Sequence, residues 1–345
     1  KYYGFDEKYV DVVEIIGQSN KGIVCQDTAN LQQLAKKGLL DSLGYHEYLS
    51  FTDNYCWLAA VKDGNGKAFS KFYKSAIAGD FTSLNEESLW DYVAQMDFLT
   101  LGDAGRNNTM FFCSDRRDPY WYVQGMDFDH SFNDNASIDY WPFILNENDR
   151  DPFRNILRKY FEKAENRALF VLRYQDLLNT RYNLNRIVPL VNKRLLEYGA
   201  DVKAHEYAWE PNALDAEEWL DRCYNQPYLQ EWLFRRHYAA KQHIANVFLG
   251  EAGFRTEDQK KVEIVFPKEK AFQDDFYIQL NSLKIKENFK GLYFPWPSVK
   301  IELKNIPNNY EFVGWKGVEM SKKLEMELYL KKDIRIEPIF RLNSQ

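Results

Sequence analysis

Leu101-Gly-Asp-Ala-Gly-Arg-Asn-Asn108 and, a short interval later, Tyr120-Trp-Tyr-Val-Gln-Gly-Met-Asp-Phe-Asp-His-Ser-Phe132 decide how this chain is read. In phosphoryl-transfer sites one Asp accepts the proton of the attacking hydroxyl. An Asn five residues on binds Mg²⁺, and a further acid holds the metal that bridges the phosphates. Asp103 and Asn108 have that offset, and Asp127 of Asp-Phe-Asp stands where the further acid is needed. Taken alone the motif is common, because Asp and Asn beside Gly usually serve a turn. Its surroundings add weight: residues 109–114 and 120–126 are aromatic-rich, and Asp115-Arg-Arg-Asp-Pro119 between them carries turn residues. Two such strands form a hairpin whose outer connections, 103–108 and 127–131, lie at one end, as acids sharing a site must.

Other chemistries fit less well. Asp127, Asp129, Ser131 and Asn133 alternate like the first ligands of a calcium loop, but Phe132 stands where that loop needs Gly and Ile138 where it needs a bidentate Glu. A different calcium site drawing on Asp134 is weaker than Mg²⁺ with a nucleotide. His130 flanks the acids and reads as a partner for a carboxylate, while His205, His237 and His243 lack carboxylates at ligand spacing. Asp63-Gly-Asn-Gly-Lys67 matches neither phosphate-cradling glycine pattern and reads as a turn. Arg116 and Arg117 belong to a solvated turn. Cys25, Cys56, Cys113 and Cys223 show no C-x-x-C spacing, so neither a zinc site nor a disulfide framework is indicated.

At 345 residues, with 45% hydrophobic and 16% aromatic content, the chain can bury a large core and has room for a second domain. Lys and Arg number 45 against 51 Asp and Glu, with no basic block, which argues against nucleic acid as a partner and for a small or protein ligand. The longest apolar runs, such as Ala168-Leu-Phe-Val-Leu172, fall far short of the roughly 20 residues that span a bilayer.

Helical periodicity predicts helices over 27–44 and 46–61, a helix from Asn85 that delivers the chain to Asp103, and further helices near 153–179, 183–198, 214–223 and 226–249. After Gly250 the pattern changes to a period of two in 262–266, 276–280, 299–303, 324–330 and 334–336. The expected division is a mostly helical domain over 1–250 and a small β-sandwich-like domain over 256–345, an α+β protein.

Gly102-Asp103, the Asn107-Asn108 pair before an aromatic strand, and Trp121 leading into Met-Asp-Phe-Asp-His-Ser-Phe132 resemble the spore-coat protein H family of atypical kinases. That family's second motif reads W-D-x-D-x-S-F-G, and here Met126 replaces its Trp and Asn133 its Gly. Arg173-Tyr-Gln-Asp-Leu-Leu-Asn-Thr-Arg181 and Phe234-Arg-Arg-His-Tyr238 extend the resemblance, which covers about Tyr2 to Gly250. It implies a protein-kinase-like fold with a mostly helical C-lobe and a hairpin active site. It also implies ATP and a divalent cation such as Mg²⁺ as cofactors, a surface or secreted protein phosphorylated on Ser or Thr as partner, and a secreted or surface location. By position Asp103 matches the catalytic-loop Asp, Asn108 and Asp127 bind cofactor and metal, and Asp129 is the second metal-binding carboxylate. Such families carry a β-rich N-terminal lobe with a nucleotide-clamping Lys. The helical reading of the first hundred residues leaves no place for one, and Lys71 and Lys74 lie in the wrong context, so the chain is expected to begin inside the kinase-like domain. The alternative expectation is a non-catalytic surface or coat protein that keeps the fold and binds a partner.

Overall fold

The description rests on a computed structural model, which describes residues 10–19, 47–51, 55–63, 67–101, 108–114, 118–125, 131, 135–146, 151–209, 226–318 and 321–343. The protein is α+β, and the chain divides into two compact units, 1–167 and 168–345. The boundary expected near 250 falls inside the second unit.

Three strands open the first unit: β1 (Val10–Ser19), β2 (Glu47–Phe51) and β3 (Tyr55–Asp63). They join β4 (Thr109–Ser114) and β5 (Asp118–Gly125) in a five-stranded antiparallel sheet of order β2-β3-β1-β4-β5. This corrects two expectations. The described residues within 46–61, namely 47–51 and 55–61, are strand and not helix, and the described part of the segment before Asp103 is not helical throughout, because β1, β2 and β3 form a β-rich portion there. Leu58-Ala-Ala-Val61 suits a helix locally, but its backbone groups pair with β1 some forty residues away, and such pairing overrides local preference. The helix expected over 27–44 lies outside the described residues.

Helix α1 (Lys67–Ile77) follows β3, and α2 (Glu86–Phe98) begins as expected at Asn85, whose side chain accepts from the Ser88 amide. Asn85 N donates to Trp121 O and Trp121 N to Ser83 O, so the residues leading into α2 run beside β5. Further along come the short α3 (Trp141–Ile144) and α4 (Pro152–Phe161). One face of the sheet supplies Phe111 and Trp121 to a cluster with Phe69 and Phe72 of α1 and Phe153 of α4, with ring centroids 5.4 to 6.2 Å apart. Phe112 and Tyr122 stack on the opposite face.

The helix expected over 153–179 is two, α4 and α5 (Ala164–Asn179), broken at Glu162 and Lys163. Helix α6 (Leu184–Trp209) runs further than its predicted end, and α7 (Gln226–His243) closes in a π-turn over Ile244–Phe248. The segment 214–223 lies outside the described residues.

The remaining strands are β6 (Lys260–Ile264), β7 (Tyr277–Leu280), β8 (Leu283–Ile285), β9 (Phe289–Tyr293), β10 (Val299–Lys304), β11 (Tyr310–Lys316), β12 (Glu325–Leu328) and β13 (Ile334–Leu342). They form two four-stranded sheets, β12-β10-β7-β8 and β11-β13-β6-β9, in which only β13 and β6 pair in parallel among the described strands. Val262 and Ile264 of one sheet meet Ile278, Leu280, Val299 and Ile301 of the other in a single apolar cluster, so the sheets share a core. Leu172 of α5 belongs to that cluster.

Candidate functional site

The residues that bracket the acidic segments are those the structure places. Thr109, first in β4, pairs with Gly125, last in β5, and Ile15 of β1 pairs with Thr109 from the other side. The chain therefore enters β4 from 102–107 and leaves β5 toward 126–130 at neighbouring positions on one edge of the sheet. Asp103, Asp127 and Asp129 themselves lie outside the described residues. Asn108 is described: it is half-buried and adopts φ of 62°, a left-handed conformation that Asn tolerates better than most residues.

Helix α2 holds this entry point. The Tyr92 hydroxyl donates to the carbonyl of Asn108 at 3.4 Å and lies 2.9 Å from the Thr109 hydroxyl, with Tyr92 and Thr109 both buried. At the helix end, Thr100 N donates to Asp97 O and Leu101 N to Met96 O, the paired bonds of a Schellman cap. Such a cap needs a left-handed residue and usually uses Gly. Here the buried, β-branched Thr100 takes φ of 58°, a strained choice worth about 1–2 kcal/mol. Two left-handed non-glycine residues thus flank 102–107, and strain of this kind collects at functional sites.

Strand β3 also carries Lys62, which the sequence reading did not single out. It lies in Ala59-Ala-Val-Lys62 near the end of β3, where the pairing passes from Val13–Val61 to Val12–Asp63 and leaves Lys62 as the extra residue of a bulge. A strand reading of 55–63 would have found it. Lys71 and Lys74 lie on α1 and are exposed.

Elsewhere in this unit the Trp90 indole donates to the Tyr160 hydroxyl, which donates to Glu86. Burial and the Glu86 charge hold that phenol far above its usual range, which makes it a structural tie.

In the second unit the fully buried Asp176 of α5 is a hub. Its Oδ1 accepts from Asn281 Nδ2 at 3.1 Å and the Tyr293 hydroxyl at 2.8 Å; its Oδ2 accepts from Ser282 N at 3.0 Å and Ser282 Oγ at 2.6 Å. Arg173 donates in turn to Ser282 Oγ. Burial raises the Asp176 carboxyl to about 6 against the pull of these four donors. His237 on α7 donates Nε2–H to the carbonyl of Leu178, and burial, with Lys241 nearby, lowers its pKa to about 4. Asp176 ties α5 to the strands of the second unit, and His237 ties α7 to α5.

A groove of about 670 Å³ lies between Leu184, Val188 and Pro189 of α6 and Gln230, Glu231 and Phe234 of α7, without a chemical cluster in it. Among the described residues no group of three or more His, Cys, Asp or Glu could hold a metal ion. Cys113 is buried. No helix among the described residues is long and apolar enough to cross a membrane. Comparison with protein-family models, curated proteins and solved structures found no match.

Proposed function

We propose that this chain transfers the γ-phosphoryl group of ATP, with Mg²⁺, to Ser or Thr hydroxyls of a secreted or surface protein, in a kinase-like fold whose β4–β5 pair carries the site. The observation that supports this most is the pairing of Thr109 with Gly125, which brings the flanks of both acidic segments to one sheet edge. The left-handed Thr100 and Asn108 beside them add to it.

In this reading Asp103 orients the acceptor hydroxyl and takes its proton as the oxygen bonds to the γ-phosphorus and the bond to the departing ADP oxygen breaks. Asn108, Asp127 and Asp129 offer oxygen donors alone, the ligand set that suits Mg²⁺. Bound there, Mg²⁺ supplies neutralisation of the charge that develops on the phosphate oxygens.

Thermal unfolding of the whole chain with and without Mg·ATP tests this. A ligand at a hundred times Kd stabilises by about 2.7 kcal/mol. Wild type should gain on this scale and phosphorylate a protein acceptor, while Asp127→Ala should lose both. Retention of both by Asp127→Ala would refute the assignment. Absence of any nucleotide effect in wild type would favour a non-catalytic surface or coat protein.

A further inference from the structure

Helix α2 meets the β4–β5 pair through polar groups spaced along it. Asn85 N donates to Trp121 O at 2.8 Å, and Ser88 Oγ accepts from Val123 N at 3.0 Å, so the first turn is fastened to β5. One turn on, at the i, i+4 position from Ser88 that shares its helix face, the Tyr92 hydroxyl reaches β4 instead. It donates to the carbonyl of Asn108 at 3.4 Å and lies 2.9 Å from the Thr109 hydroxyl, which is then the donor of that second bond. By distance the Thr109 contact is the stronger of the two. Tyr92 and Thr109 are both buried, where a hydrogen bond is expensive to leave unmade. One helix therefore holds both strands, and a single side chain holds two consecutive residues at the start of β4.

Asn108 is the one of those two residues that needs holding. Its φ of 62° is a conformation that an L-residue takes at a cost and that surrounding contacts must maintain. Thr109 is also kept in place by its pairing with Gly125 and Ile15. A return of Asn108 to negative φ would re-aim its side chain while β4 stayed where it is. We infer that Tyr92 is the positioning residue of the proposed site, its hydroxyl fixing the Asn108 backbone and so the point from which the Asn108 amide meets the divalent cation. This rests on the phosphoryl-transfer reading, in which Asn108 is a metal ligand. A ligand already held in place need not be ordered when the metal binds, so Tyr92 acts on affinity for Mg·ATP without touching it.

Isothermal titration calorimetry of the whole chain with ATP in excess Mg²⁺ provides the test, read beside the melting temperature of each variant. Tyr92→Phe keeps the ring and should weaken binding about fivefold, the scale of one net hydrogen bond. Thr109→Val removes the stronger bond from its other side and should do the same, which gives a reading even if Tyr92→Phe does not fold. Trp90→Phe is the control: it removes the indole donor to the Tyr160 hydroxyl from the same helix, and should lower the melting temperature while leaving the affinity at the wild-type value. Unchanged affinity in Tyr92→Phe, or equal weakening in Trp90→Phe, overturns the inference. Wild-type binding with unchanged affinity in Tyr92→Phe overturns it alone, whereas no binding of Mg·ATP by wild type overturns the phosphoryl-transfer reading and this inference with it.

Discussion

At Asp176 and His237 the chain carries two buried titrations of opposite sign within one unit. Asp176 has a folded pKa of about 6 against an ordinary 3.8, so the folded state binds the extra proton between those values and stability falls as pH rises through them. His237 has a folded pKa of about 4 against 6.5, so the unfolded state binds the extra proton and stability rises with pH over nearly the same window. Each contribution is on the order of 3 kcal/mol and they largely offset. Denaturant titrations from pH 4 to 6.5 should therefore show a steeper rise of stability with pH in Asp176→Asn than in wild type. His237→Gln should show a fall. Parallel pH curves for all three proteins would contradict the assignment. Both residues were visible in the sequence, but their roles were not: a carboxylate and an imidazole acquire these properties only from the groups that bury them.

The element whose docking matters most to the first unit is α1. Phe69 on its first turns is fully buried and meets Phe72, Tyr73, Phe111 and Trp121, with centroids between 5.4 and 6.2 Å, so one side chain joins the helix to β4 and β5. Phe69→Ala should cost about 3–5 kcal/mol, read as a shift of the urea midpoint at unchanged slope. A loss under 1 kcal/mol would mean that α1 is not held this way. In the β-rich unit the corresponding critical point is a glycine. Gly317 has φ of 96°, and a Cβ there would sit 1.7 Å from the carbonyl oxygen of Arg335. Helix α2 was legible from Asn85 and the Glu-rich first turn that follows, because caps are local. Strands β1 and β3 were not, because they pair with each other across some forty residues and β1 pairs with β4 across about a hundred.

At the scale of the whole molecule, most of α5 and the sandwich belong to one compact unit. The last turns of α5 are built into the sandwich. Leu172 enters its core, Gln175 accepts from Phe294 N, Asp176 gathers Asn281, Ser282 and Tyr293, and Asn179 exchanges two hydrogen bonds with Leu292. A fragment of residues 164–345 should therefore unfold cooperatively. One of residues 256–345 should be less stable by roughly 3–5 kcal/mol, the net worth of these bonds, as measured by chemical denaturation. Equal stability of the two fragments would show that the sandwich stands without the helix.

The sequence alone determined the α+β class, the alternating strands after residue 256, the helix from Asn85 to Phe98 and the paired strands that separate the two acidic segments. Each of these is written in local periodicity, a cap or a turn. Tertiary structure decided the pairing of β1 with β3 and β4, the bulge that carries Lys62 and the capture of α5 by the sandwich. Their stabilising partners lie tens to more than a hundred residues away, and hydrogen bonding and burial across such distances leave no periodic trace in the segments they join.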